Sequence, residues 1–379
     1  MATPGTGPAP GQAGLRVLRI SHSAVVTAWR RRERLLRAAG VDLTLVSAAR
    51  WDEGGALVTF TADGDRFAVP VRTLGRHPNL FLFDPRPLWR LLGDGHWDLI
   101  DLHEEPFGLA VAEVLVLRAL RARGTPFLVA SAQNLDKRYP PPFRWFERWS
   151  LSGAAGAYTC NAEAGRILRR KGLAGQLELL PLGVDTGRFR PADHPPPSGR
   201  LRVGYVGRLI PVKGVDVLLR AVALDGRFDL DVYGGGPDEA ALVALAAELG
   251  VADRVTFHGH VDEATLVGVV PGFDVLAVPS VLVPNVLEQF GRVVVEGQAA
   301  GVPVVASDCG ALPDVVEASG LLVPPGDAAA LSAALARFLD EPGLWARLRA
   351  AGLANVARYS WESVADQQRA LYERVVAPA

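Results

Sequence analysis

The sequence is short of the features that mark several broad protein classes. It has two cysteines, Cys160 and Cys309, far apart and without metal-ligand spacing. A disulfide framework is therefore not expected, and a reducing cytoplasm fits. It has no charge excess: 40 Lys and Arg against 41 Asp and Glu leave a formal net charge of −1, which argues against a nucleic-acid partner. No apolar run reaches transmembrane length; the longest are strand-sized and broken by charges. The opening "MATPGTGPAPGQAG" lacks the basic region and apolar core of a signal peptide, and its Pro and Gly content reads as a disordered leader over residues 1–14. What is present is 379 residues, 49% hydrophobic and 21% charged, the balance of a globular protein of about two domains.

Short β-branched runs alternate with helical stretches. "LRVLRIS" (15–21) reads as a buried strand, followed by the Arg-rich helix "AWRRRERLLRAAG" (28–40) and the strand "VDLTLVS" (41–47). "ALVTF" and "RFAVPV" flank "TADGD" as a hairpin would. "WDLIDLH" (97–103), "PFLVASA", "GAYTC" and "LELLP" continue the βαβ rhythm of a doubly wound parallel sheet. The rhythm stops at "GRFRPADHPPPSGR" (187–200), a linker by its four prolines. It restarts with "LRVGYVG", "FDLDVYG", "RVTFHG", "VLAVPS", "VPVVAS" and "GLLVP", and the chain ends in helices over 327–340, 342–356 and 361–376. The expected organisation is an α/β pair of Rossmann-like, doubly wound domains facing across a cleft. The first spans 15–186 and the second 201–358. The closing segment 359–379 returns to the first, and a ligand would lie at the carboxyl ends of the strands.

Chemistry concentrates in the second half. In "VGYVGRLIPVKGVDVLLRA" (203–221) a strand ends at Gly207, and Arg208 and Lys213 flank the loop before an amphipathic helix. Two fixed cations beside a helix N-terminus suit a phosphate or pyrophosphate; the same loop also reads as an ordinary solvated turn. "DVYGGGPDEAAL" (231–242) repeats the plan, with Gly235 in a second backbone wall. "EQFGRVVVE" carries Glu288 and Glu296 with seven residues between them. Eight residues of helix cover about 12 Å, roughly the reach from a sugar ring across a diphosphate to a ribose. An acid at each end can accept hydrogen bonds from hydroxyl pairs. Glu288 is equally explained as a helix-start acid, but Glu296, among valines and alanines, needs a partner.

Together "GRLIPVKG", "GGGP", "EQFGRVVVE" and "GVPVVASDCGALPDVV" resemble the retaining, GT-B-fold glycosyltransferases of family four, over most of the second domain. "YSWESVADQ" (359–367) resembles that family's closing helix. The resemblance implies that Arg208 and Lys213 bind the donor diphosphate and stabilise it as leaving group. It implies that Glu296 takes the ribose hydroxyls, that Glu288 sits by the donor sugar, and that the backbone of Phe290 and Gly291 holds the sugar hydroxyls. The stretch His258 to Val261 would border the base. Arg208, Lys213 and Glu288 are thus the expected catalytic set, with Gly207 and Gly235 lining the donor. No metal and no cofactor are implied, because the cations and the helix N-terminus take that work. The donor would be a UDP-, GDP- or ADP-sugar.

The first domain departs from the family's pattern. "ISHSAVV" stands where many members have a Gly-Gly loop. Ala132, Gln133 and Asn134 follow "PFLVAS" where many have a histidine. Candidates for positioning an acceptor hydroxyl are His22, His103, Glu104, Gln133 and Asn134; each also reads as a packed or capped loop residue. "KRYPPPFRWFERW" (137–149) offers either an acceptor wall, a membrane-facing lip or a packed helix. The arginines of "WRRRERLLR" suggest either a solvated face or peripheral contact with anionic lipid at the inner face of the membrane. The expected reaction is sugar transfer from a nucleoside-diphosphate sugar to a hydroxyl acceptor with retention. A nucleotide-sugar hydrolase or epimerase using Glu104 or Glu105, and a non-catalytic partner subunit, are the alternatives.

Overall fold

Strands buried on both faces read as continuous apolar runs, and these runs form the centre of each sheet. In the computed structural model, which describes residues 14–53, 56–75 and 77–377, the contacts divide the chain into two compact units. One runs through Cys160 and adds Ala164–Leu180 and the segment from Trp361 onward; the other holds Asn161–Glu163 and Pro181–Ser360. The expected leader falls on residues that, apart from Gly14, lie outside those described.

The first unit opens with β1 (Arg16–Ile20), α1 (Arg31–Ala38), β2 (Asp42–Ala48), β3 (Arg50–Glu53), β4 (Ala56–Thr59) and β5 (Ala68–Val71). There follow β6 (Thr73–Leu74), β7 (Leu82–Phe83), α2 (Pro85–Asp94), β8 (Leu99–Leu102), α3 (Leu109–Arg121) and β9 (Phe127–Ser131). It continues through α4 (Phe143–Gly153), β10 (Gly156–Thr159), α5 (Ala162–Arg170) and β11 (Gln176–Leu179). Seven strands form one parallel sheet in the order β11-β10-β9-β8-β1-β2-β5. The chain therefore starts in the middle, winds one way through β2 and β5, and returns to wind the other way from β8. The reversal falls between β1 and β8.

One expectation for this unit is corrected and another is narrowed. The runs around "TADGD" do not form a hairpin with each other. β4 pairs antiparallel with β3, and β5 joins the edge of the main sheet beside β2, where Pro70 is tolerated. The Arg-rich helix is a solvated face only in part. A 3-10 turn (Thr27–Arg30) leads into it, and its arginines divide: Arg30 and Arg32 are buried, while Arg31, Arg34 and Arg37 stay about 40% exposed. Arg30 is fully buried, donates to the carbonyls of Ala24, Val25 and Thr61, and pairs with Asp65. Arg34 also grips Asp65, Arg32 is buried beside Glu33, Arg37 donates to the Leu43 carbonyl, and Arg31 pairs with Glu362.

The second unit repeats the plan: β12 (Leu201–Val206), α6 (Val215–Ala223), β13 (Phe228–Tyr233), α7 (Glu239–Glu248), β14 (Val255–Gly259) and α8 (Glu263–Val269). Then come β15 (Val275–Val278), α9 (Arg292–Ala299), β16 (Val304–Ser307), α10 (Leu312–Val316), β17 (Leu321–Val323), α11 (Ala328–Asp340) and α12 (Leu344–Val356). Its parallel sheet has the order β14-β13-β12-β15-β16-β17, so the winding reverses between β12 and β15. Leu201, Val203, Leu218, Leu219, Phe228 and Val232 are fully buried between sheet and helices. The last helix, α13 (Trp361–Val376), packs on α1 of the first unit. Two doubly wound parallel sheets were expected from the alternation of runs, and two are present. Among the described residues no helix is long and apolar enough to cross a membrane.

Candidate functional site

In an open parallel sheet the loops on either side of the winding reversal splay apart and leave a crevice at the strands' carboxyl ends. In the second unit those are the loops after β12 and β15, and they are laced together. The Val281 amide donates to the Val212 carbonyl at 2.9 Å. Gly214, at φ +64, lies so close to the second loop that a Cβ there would sit 2.0 Å from the Pro279 carbonyl oxygen. No L side chain fits that position, which explains the glycine after Lys213.

This lacing brings together residues 75 apart in sequence. Lys213 Nζ meets Glu288 Oε2 at 2.5 Å, and the buried Ser280 hydroxyl donates to the same oxygen at 3.2 Å. Both charged side chains are largely withdrawn from water. Arg208 starts the loop and is exposed; among the described residues no acid pairs with it. Its carbonyl is held by the Tyr205 hydroxyl at 2.9 Å, and burial, reinforced by Glu288, pushes that phenol's pKa up so it stays a donor.

Glu288 does not sit on a helix. α9 begins at Arg292 with Gly291 as its N-cap at φ +80, so the helix covers only 292–296 of the Glu288–Glu296 span. The 12 Å helical estimate therefore does not describe the spacing. Phe290 is buried against Tyr359, leaving its backbone and that of Gly291 at the helix N-terminus. Glu296 is 18% exposed and has a partner that spacing alone announces: Arg292, one turn earlier, at 3.0 Å. Burial still raises the Glu296 pKa, with Arg292 opposing and Glu263 adding to the rise.

The remaining loops carry the other candidates. In the triple glycine Gly234 is the tight one: at φ +138 its Cβ would fall 1.9 Å from the Gly207 carbonyl oxygen, whereas Gly235 meets only ordinary contacts. Gly207 itself follows β12 and donates its amide to the Tyr233 carbonyl. The His258 ring stacks on Tyr233 at 4.1 Å and bonds Asp231 at 2.7 Å, ahead of the turn from Gly259 to Val261. Residues the sequence did not flag are Ser280 and Gly310, whose Cβ would collide with the Glu288 carbonyl at 2.3 Å.

The first unit shows the same device at its own reversal, between β1 and β8. His22 follows β1 and Glu104 follows β8. Nδ1 of His22 lies 2.7 Å from both carboxylate oxygens, and the His22 amide donates to the same carboxylate at 2.6 Å. Trp51 and Phe81 hold the imidazole from two sides, with centroids 4.4 and 5.2 Å away. His103 bonds the Tyr158 hydroxyl at 2.9 Å; burial, then Arg19, holds its pKa well below the usual value, so it stays neutral. Gln133 accepts from the Leu135 amide, and Asn134 is buried. Glu105 accepts from the Ser131 hydroxyl and the Ala132 amide, fixing the loop after β9. Among the described residues no group of three or more His, Cys, Asp or Glu is placed to hold a metal ion.

Burial raises the Glu105 pKa to about 7, against the pull of its two hydrogen bonds. An acid whose pKa is raised on folding binds its proton more tightly in the native state. Its stabilising contribution is then complete below the unfolded value near 4.5 and is lost as pH rises to about 7. Glu105→Gln should flatten that part of the stability curve and melt higher than the parent protein at pH 8. A parallel pair of melting curves from pH 4.5 to 8 checks this; identical slopes would refute it.

Sequence patterns place the chain among known proteins. The pattern of the glycosyl transferases group 1 matches residues 188–354, and that of glycosyltransferase family 4 matches 25–188. A D-inositol 3-phosphate glycosyltransferase of Streptomyces scabiei is 34% identical over 310 residues, covering 73% of this chain and 68% of the relative. One from Segniliparus rotundus is 36% identical over 214 residues, 52% of this chain and 46% of that protein's length. Among solved structures, a sucrose-phosphate synthase from Thermosynechococcus elongatus superposes with a TM-score of 0.70 at 23% identity, covering 95% of this chain and 99% of that one. Anabaena HepE in complex with UDP and glucose gives 0.71 at 16% identity, covering 95% and 100%. At those identities the structural likeness establishes the fold, GT-B, and no more.

Proposed function

This chain belongs to the glycosyl transferases of group 1, glycosyltransferase family 4, and from that membership we propose that it moves a sugar from a nucleoside-diphosphate sugar to a hydroxyl acceptor with retention of configuration. The observation that carries the donor half is the Lys213–Glu288 contact at the winding reversal of the second sheet, with the α9 N-terminus opening beside it. Lys213, Arg208 and the free amides at Gly291 supply positive potential for a diphosphate. Glu288 and the Phe290–Gly291 backbone take hydroxyls of the donor sugar, Glu296 takes those of the ribose, and the turn from Gly259 to Val261 borders the base.

In the transfer, the bond from the anomeric carbon to the diphosphate oxygen breaks as the acceptor oxygen bonds to that carbon from the same face. The departing phosphate takes the acceptor's proton. A protein carboxylate base is then unnecessary, which fits the first unit: Glu104 is committed to His22, and Glu105 to Ser131 and Ala132. Those same commitments leave neither acid placed for a hydrolase or epimerase. The His22–Glu104 pair stands at the first sheet's own reversal, the natural place to orient an acceptor hydroxyl. D-inositol 3-phosphate is the acceptor to try first, because the curated relatives carry its name.

A thermal-shift screen of nucleoside diphosphates and their sugars tests the reading. A ligand at 100 times its Kd stabilises the native state by about 2.7 kcal/mol, so one base should stand out and its sugar conjugates should rank above it. No shift with any of them at millimolar concentration would remove the donor assignment.

A further inference from the structure

One surface of the first unit plays no part in the proposed transfer. α4 buries Ser150 and Leu151 and turns Trp145 and Trp149 outward, 60% and 42% exposed. These indoles lie one helical turn apart, beside Arg144 and Arg148 at the same spacing. Arg144, Trp145 and Arg148 line an open cavity of about 700 Å3 together with Arg170 and Lys171 at the end of α5. Lys171 ties the two helices by pairing with Glu147 at 2.8 Å. Over residues 136–152 and 163–171 there are eight Lys and Arg against three Asp and Glu, in a chain whose net charge is −1. Arg170 and Lys171 are paired with Asp136 and Glu147, whereas Arg144 and Arg148 have no acid partner among the described residues.

We propose that this face docks on an anionic lipid surface, the two indoles seated at headgroup level and Arg144 and Arg148 on lipid phosphates. Charge complementarity selects an anionic partner, and the indole pair selects a membrane over a soluble polyanion. Exposed indoles gain little from a hydrated polymer but partition to the boundary between headgroups and acyl chains. The proposal is independent of the donor site, since it uses none of its residues.

The test is co-sedimentation of the full chain with vesicles of equimolar phosphatidylglycerol and phosphatidylcholine, and with phosphatidylcholine alone. Binding is expected to the anionic vesicles only, weakening as salt rises. Arg144→Gln with Arg148→Gln should lower the partition coefficient roughly thirtyfold, at about fivefold per cation near such a surface. Trp145→Ala with Trp149→Ala should lower it at least tenfold and abolish quenching by lipids brominated in the acyl chain. Both double variants should keep the parent melting temperature and the diphosphate-induced shift. Absent binding to anionic vesicles overturns the proposal, as does undiminished binding of the tryptophan variant. Retention on heparin by a protein that ignores vesicles would do the same and mark the face as a polyanion site.

Discussion

Lys213→Ala is expected to lower turnover by about a hundred- to a thousandfold at saturating donor, the usual cost of deleting one charged or hydrogen-bonding stabiliser of developing negative charge. The diphosphate gains charge as the glycosidic bond breaks, so the ammonium interacts more strongly with the transition state than with bound donor. The loss should therefore appear mainly in kcat rather than KM. The variant has a second effect that must be separated from the first: it strips Glu288 of its counterion at 2.5 Å, while the Ser280 hydroxyl still donates to that oxygen. Lys213→Met with Glu288→Gln removes both charges and should recover the melting temperature without recovering turnover. Arg208→Ala, with no acid partner to orphan, should lose activity with little change in stability. Near-parental kcat in both Lys213→Ala and Arg208→Ala would end the assignment.

The same region shows what a sequence can and cannot disclose. The cations and carboxylates were visible as residue types at motif spacing, and the strands were visible as apolar runs, because burial on both faces leaves no alternative composition. Which charge touches which was not visible. Lys213 and Glu288 meet only because the second sheet reverses its winding between β12 and β15, and His22 and Glu104 meet only because the first does so between β1 and β8. Strand order is decided by packing, which no local pattern encodes. One contact was local and still passed over: Arg292 and Glu296 have the i,i+4 spacing of a helical ion pair. The Arg-rich helix was legible only in part, for the opposite reason. Its partners Asp65, Thr61 and Glu362 come from elsewhere in the chain, so a run that reads as solvent-facing is interior at Arg30 and Arg32.

Arg19→Met should destabilise the first unit by about 3–5 kcal/mol, the cost of breaking a buried ion pair from one side. Arg19 lies on β1 with its side chain fully withdrawn from water, directly across from Asp101 on β8 in the strand register. It bonds Asp101, Glu33 of α1 at 2.7 Å and the Tyr158 hydroxyl at 3.0 Å. Asp101 also accepts from the hydroxyls of Tyr158 and of Tyr372 on α13. Arg19 thus bridges two buried carboxylates that join sheet, first helix and last helix, with Arg32 as a second, more distant cation on Glu33. Methionine keeps the volume but leaves Asp101 without its cation and Glu33 with only the longer contact to Arg32 at 3.5 Å. Burial, with Asp101 adding to it, holds the Tyr372 phenol's pKa well above the ordinary value, so it cannot act as a charge partner. The arrangement is not fully satisfied even in the native state: Nη2 of Arg19 and Oε2 of Glu33 have no hydrogen-bond partner. A network of that kind adds little net stability over an apolar core, yet it fixes which surfaces meet. The loss should therefore be uneven. Amide exchange should accelerate most in α13, whose Tyr372 anchors to Asp101, and least in the second unit, whose diphosphate-induced thermal shift should persist. Asp101→Asn, which keeps the acceptor and leaves Arg19 its bond to Glu33, should cost less. An Arg19→Met protein melting within a degree or two of the parent, with α13 exchanging at the parental rate, would show that the helix is held by its apolar face alone.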